Sequence, residues 1–254
     1  MAAARNICLI IAYDGSDYQG WQRQRTVPTI QGEIEERLSI ITTKNVTLHG
    51  AGRTDAGVHA VGMAANFHTN SSLPCRSLQK SLNSMLPPAI RILAAKEMAD
   101  DFHARFACRG KRYCYYLQTS PVQPPFLHRY ALHTPVPLDD ERMRACLNIL
   151  IGSHDFSSFE NSGSRDRDNC HGRGAVRTLF SADIRRSGEE TLAIELTGDG
   201  FLRNMVRNIV GTLLPAGEKK IDVADFAAIL AAKNRTLAGP TAPPHGLFLQ
   251  RVFY

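Results

Sequence analysis

Thr178-Leu179-Phe180-Ser181-Ala182-Asp183-Ile184 and Thr191-Leu192-Ala193-Ile194-Glu195-Leu196-Thr197 read as paired strands joined through Ser187-Gly188. So short a connection implies antiparallel pairing. Directly after them, Leu202, Met205, Val206, Ile209, Val210 and Leu213 form an apolar helical stripe. Asp222 starts another helix, with Val223, Phe226, Ala227 and Leu230 inward, and Leu247 to Tyr254 is a last strand. Upstream, Asn6 to Tyr13 reads as a buried strand followed by the turn Asp14-Gly15-Ser16. After Pro28, Ile30, Ile34, Leu38 and Ile41 mark one face of a helix. Val46 to His49 reads as a short strand, Ser77 to Leu86 as a helix stopped by Pro87-Pro88, and Lys111 to Thr119 as a strand. Pro121 to Pro137 is a proline-rich connection, and Asp139 caps a helix carrying Met143, Leu147 and Leu150. Residues 161–175, polar and basic, read as a long loop. Strands and helices joined by short connections predict an α+β arrangement: antiparallel sheet with helices packed on one face.

The 254 residues exceed one average domain and fit one large or two small ones. The expected division is 1–106 and 107–254. Apolar residues make up 43% and charged residues 21%, which excludes disordered and collagen-like chains. The longest clean apolar run, Ile7 to Tyr13, is far below the ~18 residues of a spanning helix. The N-terminus lacks a signal-peptide layout, so a cytoplasmic location is expected. Six scattered cysteines, Cys8, Cys75, Cys108, Cys114, Cys146 and Cys170, contain no C-x-x-C pair, which argues against a structural zinc site or a disulfide framework.

A net charge of +6 favours polyanionic partners, nucleic acid above all. Arg105, Arg109, Lys111 and Arg112 form one basic run. Arg165, Arg167, Arg173, Arg177, Arg185 and Arg186 form another. Either run alone reads as a solvated surface; two such runs flanking aromatic strands point to RNA or DNA.

Three constellations could carry chemistry. In Gly50-Ala51-Gly52-Arg53-Thr54-Asp55-Ala56-Gly57-Val58-His59-Ala60, glycines bracket one acid, Asp55. Spacing alone fits a tight turn as well as a site. A glycosidase uses two carboxylates, so a lone Asp fits covalent catalysis without hydrolysis better. On the helix after Phe201, Asn204, Arg207, Asn208 and Gly211 share a face opposite the apolar stripe. Arg207 there is either a snorkelling surface residue or a buried cation that needs an acidic partner. Lys111-Arg112-Tyr113-Cys114-Tyr115-Tyr116 suits base stacking beside phosphate neutralisation, though tyrosine is also an ordinary strand residue.

Gly52-Arg53-Thr54-Asp55-Ala56-Gly57-Val58-His59-Ala60 resembles the active-site signature of the tRNA pseudouridine synthase A (TruA) family. Further blocks resemble that family in order along the chain. They are Tyr13-Asp14-Gly15 with Tyr18, Gly20-Trp21-Gln22 and Gln24; Asp101 to Phe106 with Arg112 to Tyr115; Gly152 to Phe159; Phe201-Leu202 to Gly211; and Gly239-Pro240-Thr241-Ala242-Pro243. Met63 departs from the family's Gln. The resemblance implies the pseudouridine synthase fold, two α/β domains with antiparallel sheets and a positively charged active-site cleft between them, in a homodimer. It implies isomerisation of uridine to pseudouridine at positions 38, 39 and 40 of the tRNA anticodon arm, with no cofactor and no metal. By motif position Asp55 is the nucleophile, Arg207 its partner, Arg53 holds the flipped nucleotide out and Tyr113 stacks on the target base. Substrate binding is carried over likewise to Phe201, Leu202, Arg105 and Arg203. The competing readings are an RNA-binding module without catalysis, a base-excising glycosylase, and a related synthase acting at other RNA sites.

Overall fold

The computed structural model describes residues 4–161, 174–188 and 190–254. Arg165, Arg167, Arg173 and Cys170 of the expected basic loop lie outside the described residues. The chain forms two compact units: residues up to Arg109 together with Phe248–Tyr254, and Gly110–Leu247. Both are mixed α/β with mostly antiparallel strands.

In the first unit, β1 (Arg5–Tyr13) lies between β3 (His59–Thr69) and β4 (Ile90–Met98), antiparallel to both. β2 (His49–Gly50) lies antiparallel on β3. β10 (Leu247–Phe253) adds in parallel, pairing Phe248 with His59 and Leu249 with Ala60. Ile7, Leu9, Ile11 and Tyr13, spaced by two, are all buried, as one face of a pleated strand demands. α1 (Ile30–Thr42) starts at Thr29, whose side chain accepts from the Gly32 N–H, and buries Ile30, Ile34 and Leu38. Each such aliphatic burial contributes roughly 1.5–3 kcal/mol. α2 (Cys75–Met85) packs on β4 through Leu78 and Leu82. It stops because Leu86, preceding Pro87, is forced into extended backbone.

In the second unit, β5 (Gly110–Gln118), β9 (Thr191–Gly198), β8 (Val176–Arg186) and β7 (Gly152–Asp155) form an antiparallel sheet in that order. The two-residue β6 (Leu132–His133) lies parallel to β5. α3 (Asp140–Ile149), α4 (Met205–Gly217) and α5 (Val223–Ala232) pack on one another, α3 against β8 and α4 against β5. Asp139 accepts from the Arg142 N–H to cap α3. Asp222 and Asp225 form a reciprocal capping box on α5.

The structure departs from the sequence reading in its strands, above all around β1. The expected strand from Val46 narrows to His49–Gly50. β3 and β4, unread in the sequence, supply both neighbours of β1. Met63 to Phe67 of β3 are buried residue after residue, so the strand shows none of the alternation that marks a half-exposed one.

Candidate active site

The loop 51–58 connects β2 to β3, and the segment Tyr13 to Trp21 cradles it. The Tyr13 hydroxyl and Thr54 Oγ1 are hydrogen-bonded at 2.7 Å, both buried. The Trp21 N–H donates to the Thr54 carbonyl at 3.1 Å. Thr54 is thus held by side chain and backbone, immediately before Asp55. The Val58 N–H closes a four-residue turn on the Asp55 carbonyl at 3.2 Å, and Gly57 at its third position has φ +75°. Gly20, at φ +85°, lies so close that a Cβ on it would sit 2.5 Å from the Thr54 carbonyl oxygen. A Cβ on Gly15 would come within 2.0 Å of the Val58 carbonyl oxygen. These approaches are open only to glycine, and they make the loop an extension of the unit's interior. Asp55 is half-buried at its crest and Arg53 is exposed two residues before it.

His59, 1% exposed, stacks on Phe248 at 4.5 Å. The Gly15 N–H donates to its Nδ1 at 3.1 Å, while Asp14 Oδ1 stands equally close at 3.1 Å. His59 is part of the scaffold under the loop.

Arg105, exposed, follows a turn held by a buried amide pair. Asn6 Nδ2 donates to the Ala99 and Phe102 carbonyls, at 3.0 and 2.7 Å. Asn66 donates to Asn6 Oδ1 and accepts from the Ala104 N–H at 2.8 Å.

The other expected site residues lie in the second unit. Tyr113 is 8% exposed on β5 and meets Phe201 edge to face, ring centroids 5.0 Å apart. Tyr115, two residues on, is wholly buried: its hydroxyl donates to the Pro243 carbonyl at 2.8 Å, and burial pushes its pKa up. Leu202 is buried and Arg203 exposed. Asn204 precedes α4 in left-handed backbone, φ +60°. Arg207, half-buried one turn on, donates from Nη1 to Asn204 Oδ1 at 2.8 Å and from Nε to the Ala242 carbonyl at 2.7 Å. The polar face of α4 is therefore covered by the segment 235–242. The sequence places Asn204 on one face with Arg207, whereas the Ala242 carbonyl reaches that face from 35 positions away.

Among the described residues no group of three or more His, Cys, Asp or Glu is placed to hold a metal ion. Among the same residues, no helix is long and apolar enough to cross a membrane.

A family model described as tRNA pseudouridine synthase matches residues 9–107 and 147–254. The chain is 58% identical over 250 residues to tRNA pseudouridine synthase A 1 of Desulfotalea psychrophila, covering 98% of this chain and 100% of that one. It is 41% identical over 250 residues to tRNA pseudouridine synthase A of Thermoanaerobacter sp. (strain X514), with the same coverage. It is 43% identical over 247 residues to tRNA pseudouridine synthase A 1 of Protochlamydia amoebophila, covering 97% of this chain and 95% of that one. Full-length identity at these levels, together with the match across both units, means that the chain belongs to the tRNA pseudouridine synthase family.

Proposed function

We propose that the protein is an isomerase converting uridine to pseudouridine in tRNA, at positions 38, 39 and 40 of the anticodon arm, with Asp55 as nucleophile. The observation that carries this reading is the family match, whose signature here falls on a loop with Thr54 and Gly57 fixed on either side of Asp55. The reaction breaks the N1–C1′ bond, turns the uracil and forms C5–C1′. The proton lost from C5 is balanced by one gained at N1. The Asp55 carboxylate bonds to C1′ or to C6 during the turn, and its later departure regenerates the enzyme. It must be ionised to do so. A cationic neighbour favours that form, and Arg207, charged at every relevant pH, is assigned this part.

Tyr113 offers its ring to the base, a contact worth roughly 1–3 kcal/mol, beside the apolar Phe201 and Leu202. Arg53 is assigned to the space the flipped nucleotide leaves, which offsets an unstacking cost of a few kcal/mol. Arg105 and Arg203, both exposed, are assigned to phosphates. In this reading the half 1–106 carries the nucleophile loop and 107–254 carries the tyrosine strand and arginine helix. The enzyme acts as a cytoplasmic homodimer and without cofactor or metal.

The test is Asp55→Asn in single turnover on unmodified tRNA, with tRNA binding measured beside it. Loss of pseudouridine with affinity held within about tenfold is expected, because phosphate contacts supply most of the binding. A substantial residual rate overturns the assignment. Release of free uracil by the wild type identifies a glycosylase instead.

A further inference from the structure

The segment 235–242 is tied to α4 by an unusual concentration of polar contacts, all within the second unit. Asn208, fully buried on α4, donates from Nδ2 to the Phe159 carbonyl at 2.8 Å and to Asn161 Oδ1 at 2.9 Å. Its Oδ1 accepts from Thr241 Oγ1 at 2.7 Å and from Arg235 Nη2 at 3.1 Å. Arg235 also donates to the Ala238 and Gly239 carbonyls and to Thr241 Oγ1, at 3.2, 2.9 and 3.2 Å. Among the described residues no carboxylate forms an ion pair with it, and desolvation lowers its pKa.

Two glycines let the segment lie flat on the helix. A Cβ on Gly211 would sit 1.7 Å from the Pro240 carbonyl oxygen, and one on Gly239 would sit 2.3 Å from the Gly211 carbonyl oxygen. That Gly211 carbonyl faces a proline four residues on, Pro215, which has no N–H to offer it. The Gly239 N–H donates to Thr212 Oγ1 at 2.9 Å. The segment ends on Ala242, whose N–H donates to the Arg207 carbonyl at 3.1 Å and whose carbonyl accepts from Arg207 Nε.

We infer that Arg235, Thr241 and Asn208 are positioning residues that act through Arg207. They fix the Ala242 carbonyl, which with Asn204 Oδ1 sets the plane of the Arg207 guanidinium. Arg207 has several rotatable bonds and would lose aim if either acceptor moved. Two planar donors bound to two fixed acceptors leave it one orientation. The buried network is expensive to leave half satisfied, so it holds one arrangement. This inference rests on the part assigned to Arg207 above.

Thr241→Val removes the hydroxyl with little change of shape. We expect the single-turnover rate to fall about tenfold, the effect of one hydrogen bond, while tRNA affinity stays within about twofold. Thr241→Ser, which keeps the hydroxyl, should recover most of the rate. Arg235→Gln should show the same split between rate and affinity, and serves if Thr241→Val does not fold. Leu237→Ala, an exposed neighbour on the same segment, controls for general disturbance and should react at the normal rate.

On an Arg207→Lys background, Thr241→Val should cost less than about threefold, because a lysine cannot use the two acceptors in the same way. Additive losses overturn the inference. Slow Arg207→Lys and Arg207→Met beside full-rate Thr241→Val and Arg235→Gln overturn the positioning alone. Full-rate Arg207 variants overturn the assignment of Arg207 itself, and the positioning with it.

Discussion

Glu35 is a carboxylate 4% exposed in the middle of α1, and its removal should be costly in a way the structure resolves atom by atom. Its Oε1 accepts from the Leu48 N–H and from Gln31 Nε2, both at 2.9 Å; its Oε2 accepts from Arg23 Nη1 at 3.0 Å. Gln31 in turn donates to the Leu48 carbonyl and accepts from the Arg23 N–H. One helix residue therefore joins the stretch after Trp21 to the approach to β2. In Glu35→Ala the Leu48 N–H is left buried without its acceptor, about 1–3 kcal/mol by itself, and the void adds to that. Gln31 keeps the Leu48 carbonyl, and Arg23, 56% exposed, turns to water at little loss.

The total is about 2–4 kcal/mol, or roughly 6–12 °C in melting temperature for a chain of this size. Glu35→Gln keeps an oxygen for the Leu48 N–H and forfeits mainly the exposed ion pair, so about 1 kcal/mol and roughly 2–4 °C are expected. Trp21 is the single tryptophan and is 2% exposed in this unit, so its fluorescence during heating reports the relevant melting. Equal losses in the two variants would show that charge, not acceptor geometry, holds the junction. An alanine variant melting with the wild type would show that the carboxylate holds nothing.

Gly20→Ala must place an L-residue at φ +85°, at about 1–2 kcal/mol, with its Cβ against the Thr54 carbonyl. We expect a folded protein whose single-turnover rate falls at least about tenfold with tRNA affinity little changed, because the displaced loop carries Asp55; a normal rate would show that the loop tolerates the shift. Asp139 is held below the usual carboxylate range first by the Arg142 N–H at the helix cap and then by Lys219. A depressed folded pKa contributes stability that is present above the unfolded value, near 3.9, and is lost as pH falls through the folded one. Asp139→Asn keeps a capping oxygen without the titration. Its melting temperature should therefore fall less steeply than the wild type's below about pH 4, and parallel curves would refute this.

The helices were legible because each carries its own signal. Ile30, Ile34 and Leu38 share a stripe after the cap Thr29, and Leu202 to Leu213 do the same for α4. β3 was not legible, because His-Ala-Val-Gly-Met-Ala-Ala-Asn-Phe has no alternation and only Val61 and Phe67 as strong strand formers, and its buried polar Asn66 answers Asn6, far away in sequence. The order of strands was hidden because its pairings are long-range: β10 beside β3 joins the end of the chain to its first quarter. At the site, the loop around Asp55 stood out through its bracketing glycines, and the resemblance gave its residues roles. What holds that loop, Tyr13 on Thr54, and what holds Arg207, the Ala242 carbonyl, are contacts between residues 41 and 35 positions apart. No local periodicity records such contacts, and the left-handed turn at Asn204 marks itself only by a residue type that tolerates it.

The parallel strand β10 also sets an order of events during synthesis. The first unit is discontinuous: its early residues end at Arg109 and its final strand begins at Phe248, with the whole second unit in between. At usual elongation rates a ribosome needs roughly 10–30 s to cross that interval. Throughout it the backbone of β3 at His59 and Ala60 lacks its last partner, four residues beyond Asp55. An unpaired strand edge is an invitation to pair with another nascent chain. The second unit can form its helices first, and the loop that carries Asp55 acquires its full support last. A chain that stops short of Leu247 would therefore carry every assigned site residue and still be left with an open sheet beside Asp55.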